Sequence, residues 1–331
     1  MFRSIQRQPC QWAQFSLHRL YSTSPPKTTV QLVSELRKLT NAPIMKARQA
    51  LTEANGDFDA ALKWLEKDLL ASGAAKAEKI KDRQASEGLV SVSVADAGFG
   101  SQTEGPVKAA IVELNCESDF VSRTDDFARL AADIAQTVAE SAGSSSTSAF
   151  SSVDVAGLLE TPLVSSQRSG ATVGNSIMDL IAKIGENITL RRAALLSPAQ
   201  QADVSFRAAS YIHNSLPNFT SQGRIGTLAL LSLRSSRLSE LLKQEASLSD
   251  LAKYERALCR QIAGFRPLSV SEPAPDAGEE SVLYKQQFMM FGGEKASLPV
   301  RQVMDEWQKE QGLDAFDVAE FVRWEVGQSG N

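Results

Sequence analysis

The sequence predicts an α+β protein: a small three-helix module, then a core of two related α+β subdomains. Three observations predict it. Residues 28–68 hold apolar side chains at helical spacing, interrupted only at Asn41-Ala42-Pro43 and Asn55-Gly56. From Gly88 the period changes to two, as Val90, Val92 and Val94 alternate with serines. A hairpin-then-helix pattern then occurs twice, near 88–139 and near 205–263.

Taken in order, Thr28-x-x-Gln31 reads as a capping box, followed by Val30, Val33, Leu36 and Leu39 as one helical face. Pro43 starts a second helix with Ile44, Ala47 and Leu51 as its stripe, and Gly56 ends it. Asp57 caps a third helix carrying Phe58, Ala61, Leu62 and Leu65. Residues 69–85, rich in alanine and charge, predict a helical or flexible connector with solvated lysines. The first subdomain (86–200) holds a strand near 88–94, a glycine-rich loop (95–106) and the strand 109–114. A helix follows from Thr124 with Phe127, Leu130, Ala131, Ile134 and Val138 inward, then an exposed serine-rich loop over 141–152. The helix 173–186 stops at Gly185-Glu186-Asn187 before the strand 188–196. In the second subdomain (201–327), strands 205–213 and 224–233 precede a helix over 248–263. An acidic, proline-containing linker (270–281) leads to a strand 282–290, a helix 300–311 and a final strand 321–326.

Between the strand 109–114 and the helix from Thr124 stands Asn115-Cys116-Glu117-Ser118-Asp119-Phe120-Val121. A phenylalanine beside an aspartate in so short a connection has two readings. Either Phe120 tucks beneath the following helix, or the pair projects as an apolar wedge beside a carboxylate. The second subdomain carries Ser235-Ser236 at the equivalent place, so the pair is not a structural plug common to both copies. That difference favours projection.

Composition narrows the chemistry. The chain has 331 residues, which suggests about two to three domains. No apolar run approaches the roughly 20 residues of a membrane span. Three cysteines (Cys10, Cys116, Cys259) and two histidines (His18, His213) are too few for a disulfide framework or a multi-histidine metal site. No phosphate-loop, dinucleotide or nucleophile-elbow motif is present; Gly170-Ala171-Thr172-Val173-Gly174 lacks the lysine a phosphate loop needs. Before Glu35 there are Arg3, Arg7, Arg19 and Lys27 and no acidic residue, with serines and scattered aromatics, which predicts a mitochondrial presequence over 1–21 and a matrix location. Its removal takes three of 35 basic residues, leaving 32 against 39 acidic, net −7. Such a chain is poorly suited to general nucleic-acid binding.

The segments Leu32–Thr40, Ala50–Asp57, Val112–Val121, Lys183–Ile188, Gly223–Gly226 and Phe321–Gly327, in this order, resemble the elongation factor Ts family in its mitochondrial form. The resemblance covers most of 28–327. It implies a guanine-nucleotide exchange factor for elongation factor Tu, with no cofactor, no metal and no covalent chemistry of its own. It implies that the three-helix, UBA-like module docks on the nucleotide-binding domain of Tu through Ile44 and Met45. It implies that the loop carrying Asp119, Phe120 and Val121 intrudes between Tu helices near the magnesium site, and that His213 also contacts Tu. Two elements of bacterial members are missing: a long helical insertion, replaced by 270–281, and a helical module after Phe321–Gly327. Both departures point to a one-to-one complex. Two rivals come from other classes: an enzyme with Cys116 as nucleophile and His213 as base, and a pure adaptor acting through the three-helix module alone.

Overall fold

The computed structural model describes residues 27–40, 42–100, 105–141, 148–164, 171–236 and 245–328. The basic segment 1–21 lies outside them, as do parts of the loop 95–106 and of the stretch 141–152. The chain divides into two compact units, 1–67 and 68–331.

The first unit comprises α1 (Thr29–Thr40), α2 (Ile44–Glu53) and the start of α3 (Phe58–Ile80). The capping box forms: the Thr28 amide donates to Gln31 Oε1 at 2.9 Å and the Gln31 amide to Thr28 Oγ1 at 3.4 Å. Asp57 Oδ1 accepts from the Ala60 amide at 2.9 Å at the start of α3. The turn between α2 and α3 uses two left-handed residues, Asn55 and Gly56, and the Gly56 amide donates to Leu51 O at 2.8 Å. Val33, Leu36, Ala47, Ala50, Leu51, Ala61 and Leu65 form the core. Val30 and Leu39 do not join it; they are 76% and 63% exposed. A strict three-residue spacing drifts by about 60° per step around a helix. Nine residues apart, Val30 and Leu39 therefore point to opposite sides, and only the middle pair faces inward.

In the second unit α3 continues to Ile80 as ordered helix packed on α7 (Val173–Ile184). A Cβ on Gly73 would stand 2.7 Å from Met178 O, so only glycine permits this approach. Lys76 Nζ donates to Ala182 O at 2.6 Å, and Ala77 and Ile80 enter the core. Of the two readings for 69–85 the helical one holds as far as Ile80, and Lys76 stays exposed while its Nζ reaches Ala182 O.

The remaining elements are β1 (Glu87–Asp96), β2 (Lys108–Cys116), α4 (Asp119–Ser122), α5 (Asp125–Glu140), β3 (Phe150–Val153), α6 (Val155–Leu159) and β4 (Ile188–Leu196). Then come β5 (Ser205–His213), β6 (Gln222–Gly223), β7 (Ile225–Arg234), α8 (Glu245–Phe265), α9 (Val300–Gln311) and β8 (Ala315–Glu325). One sheet runs β3-β4-β2-β1-β6 and the other β5-β7-β8, all pairs antiparallel. The two halves share a plan: a hairpin, a helix, and a later strand paired to the hairpin's second strand. That later strand carries one extra residue in both halves, at the Glu113/Leu114 and Leu230/Leu231 register shifts. The layers follow from the period of two. On β2, Ala110, Val112 and Leu114 face α5 and α7, whereas Ala109 and Ile111 face the other sheet. On β7, Leu228 and Leu230 face the first sheet, whereas Ala229, Leu231 and Leu233 face α8 and α9. Both strands are covered on two faces, which is why they read as nearly continuous apolar runs.

Several segments differ from expectation. Residues 282–290 form no strand; they make a 3-10 turn at Leu283–Lys285 whose buried Val282, Leu283 and Phe288 imitate a strand pattern. The segment 270–281 is closed at its base, with Leu268 N donating to Ser281 O at 2.7 Å and Leu283 N to Ser269 O at 2.9 Å. It is a loop within the second half. The last strand starts at Ala315, six residues early, with Phe316 and Val318 inward. Part of the serine-rich stretch is the edge strand β3.

At the junction of the sheets the side chain of Glu113 is fully buried. It accepts from Arg192 Nε at 2.7 Å, Arg191 Nη1 at 3.2 Å and the Gly327 amide at 2.9 Å. Arg192 also stacks over Trp324, 4.5 Å from the ring centre. Glu113→Gln is expected to lower stability by about 3 kcal/mol, because it strands a half-buried arginine pair. Urea unfolding checks this as a fall in midpoint at unchanged slope.

Candidate functional site

The heptapeptide after β2 folds into α4, one helical turn of four residues. Ser118 is its N-cap, with its hydroxyl accepting from the Val121 amide at 3.4 Å. Ser122 Oγ donates to Asp119 O and Thr124 Oγ1 to Val121 O, both at 2.8 Å, so the turn passes directly into the cap of α5. Val121 and Ser122 are buried, and Val121 belongs to the core beneath α5. Phe120 is 81% exposed. The tucked reading of Phe120 does not hold, because its neighbour Val121 fills that role. Val121 thus anchors the turn from below, and the presented pair is Asp119-Phe120. Asp119 lies beside Phe120 on the surface, 3.3 Å from Arg123 Nη2 in an exposed pair.

The turn is held from outside itself. Glu186 Oε2 accepts from the Ser118 amide at 3.0 Å and Glu186 Oε1 from the Ser118 hydroxyl at 2.6 Å. Glu117 Oε1 accepts from the Asn187 amide at 2.6 Å. Asn187 Nδ2 donates to Lys81 O at 3.2 Å and Arg83 O at 2.7 Å, joining the end of α3 to the same place. Glu117, Glu186 and Asn187 were legible only as a turn and a helix stop; Gly185, left-handed at φ 83°, supplies that stop.

The other candidate residues stand elsewhere. Ile44 and Met45 open α2 in the first unit, 51% and 74% exposed, although the helical stripe had placed Ile44 inward. His213 ends β5, exposed, with Nδ1 3.5 Å from Tyr211 Oη. It borders a shallow hollow of about 270 Å³ with Tyr211, Ile225, Arg260, Arg266, Met290 and Arg323 among its lining. Arg266 and Arg323 both pair with Glu325, at 3.1 and 2.8 Å. This cationic surround was not anticipated, since its arginines come from α8, the turn after it and β8.

Cys116 is fully buried and its Sγ donates to Ser118 O at 3.2 Å. Burial first, then the charges of Glu186 and Glu87, push its thiol up to about 12. A nucleophilic cysteine needs the thiolate, so Cys116 is poorly suited to that role. Burial raises the Cys259 thiol as well. Iodoacetamide at mildly alkaline pH is expected to spare Cys116 and Cys259 in the native chain and to alkylate both in urea, as read by peptide mass. Since folding raises both thiols above their ordinary 9.0, the unfolded chain releases these protons first. Their contribution to stability is present below that value and is lost as pH rises through the folded values.

Comparison with known proteins gives the family. The family model described as Elongation factor TS matches residues 117–279. A protein of Coprinopsis cinerea named "Elongation factor Ts, mitochondrial" is 44% identical over 324 residues, covering 94% of this chain and 95% of that protein. One of the same name from Laccaria bicolor is 44% identical over 333 residues, covering 95% and 96%. One from Dictyostelium discoideum is 29% identical over 328 residues, covering 93% and 88%. Matched almost end to end at such identity by relatives of that name, the chain belongs to the elongation factor Ts family.

Proposed function

We propose that this chain promotes release of GDP from mitochondrial elongation factor Tu, with which it forms a one-to-one complex in the matrix. The observation that carries the reading is the exposed Phe120 on a turn held rigid from below and behind. Relatives named as mitochondrial, and the basic segment without acidic residues before Glu35, support the location. GDP is held on such a GTPase by backbone amides and by a magnesium ion bridging phosphate oxygens. An exchange factor need not touch the nucleotide. It binds better to the form of its partner in which that site is broken.

In this reading Phe120 enters an apolar gap between two helices of Tu, where full burial of the ring contributes about 1.5–3 kcal/mol. Asp119 brings a carboxylate towards the magnesium shell and favours its rearrangement by charge and hydrogen bonding. Ile44 and Met45 supply a separate apolar docking contact, and His213 with its arginine surround a polar one. Reciprocity follows: by the factor that this chain weakens GDP, GDP weakens this chain, so incoming nucleotide displaces it.

The direct test is release of fluorescent GDP from mitochondrial elongation factor Tu with and without the chain; no acceleration overturns the reading. Phe120→Ala is expected to lower the accelerated rate by about tenfold or more while the melting temperature stays put, since little is buried there. Met45→Glu is expected to raise the half-saturating concentration and leave the plateau rate close to that of the unchanged chain, as titration of the same release assay would read.

A further inference from the structure

The wedge helix has only four residues, and one helical turn does not hold itself in water. Its geometry is supplied by a crossed pair of carboxylates. The connection after β2 gives Glu117 to the backbone of Asn187, and the connection before β4 gives Glu186 to the backbone of Ser118. The strands are neighbours, with Cys116 opposite Ile188, so the two connections lie side by side although 68 residues separate Ser118 from Glu186. Glu186 takes both donors of Ser118, the amide and the hydroxyl. The same hydroxyl oxygen accepts from the Val121 amide. A hydroxyl that donates to a carboxylate becomes a better acceptor, so the bond to Glu186 strengthens the cap it makes. Ser118 is thereby held at φ −120° and ψ 152°, the extended conformation an N-cap requires.

We infer that Glu186 is a positioning residue for nucleotide exchange: acting through Ser118, it sets the direction in which Asp119 and Phe120 project. This rests on the exchange-factor reading for its consequence, but not for its geometry. Phe120 is 81% exposed, so little packing orients the ring from its own side. Its direction is inherited from the turn. Within the turn, the buried Val121 and Ser122 fix depth and Ser122 Oγ holds Asp119 O; the cap residue Ser118 is held from outside by Glu186. A glutamine at 186 has one oxygen where Glu186 has two, so without change of shape its amide nitrogen must face one of the Ser118 groups. At the hydroxyl it donates where Glu186 accepted, and the hydroxyl no longer gives its proton to a carboxylate.

The test uses the full chain and Glu186→Gln. In the free protein, exchange of the Val121, Ser122 and Arg123 amides is expected to quicken by about tenfold, while amides of β2 and α5 keep their protection. With mitochondrial elongation factor Tu loaded with fluorescent GDP, the plateau release rate is expected to fall and the half-saturating concentration to change little. Ser118→Ala is expected to lower the plateau too, and the double variant Ser118→Ala/Glu186→Gln to lose less than the sum of the two single losses. Unchanged amide exchange at 121–123, a uniform loss of protection across β2 and α5, or fully additive losses in the double variant would each overturn the inference. If the unaltered chain fails to release GDP, the exchange-factor reading falls, and the amide measurement still decides whether Glu186 sets the turn.

Discussion

The fold of the larger unit turns on one buried carboxylate. Glu113 sits at the face where the two sheets meet, in a layer otherwise made of Val90, Ile111, Leu228 and Leu230. A charge there is tolerable only if its partners are complete. Two consecutive arginines on β4 and the amide of Gly327 complete them. The register shift in β4 lies beside Glu113, and it lets Arg191 and Arg192 both reach the same carboxylate although neighbours on a regular strand point to opposite faces. The sheet–sheet core thus depends on an irregularity in one strand and on the far end of another.

The same device recurs at the wedge with a different result. Glu117 and Glu186 also place carboxylates on backbone donors, but at the rim of the sheet: Glu117 holds the buried Asn187, and Glu186 holds the turn whose Phe120 faces solvent. At Glu113 the bonds draw segments into the core; at Glu186 they hold a segment out. Phe120 can stay exposed because Val121 and Ser122 bury themselves in its place, and the turn loses no packing by presenting the ring.

Much of this was legible in the sequence, for local reasons. Strands 188–196 and 205–213 have the bounds their alternation predicts, because each is flanked by glycine, asparagine or serine turns that leave no competing continuation. The helix 300–311 starts at a proline and stops at a left-handed glycine, both readable residue by residue. What failed depended on distant partners or, in one helix, on a spacing too strict for its pitch. Val282, Leu283 and Phe288 are apolar because a separate layer covers them, not because they alternate. Val30 and Leu39 resemble their buried neighbours, and only the drift of a three-residue spacing separates them. At the site, Asp119 and Phe120 were recognisable as an anomaly, and the missing counterpart at Ser235-Ser236 pointed the right way. Glu186 was not recognisable, because a glutamate after a helix stop looks ordinary until Ser118 is seen opposite it.

Glu113 and its last donor are 214 residues apart. A chain that emerges from its N-terminus first can pair β1, β2 and β4 long before Gly327 exists, and long before Gln222–Gly223 reaches the open edge of β1. Until then the Glu113 carboxylate has its arginine partners on β4 but not its last backbone donor. The first sheet takes its last strand, and its buried carboxylate takes its last donor, from the second half of the chain, so the two halves are completed together rather than one after the other.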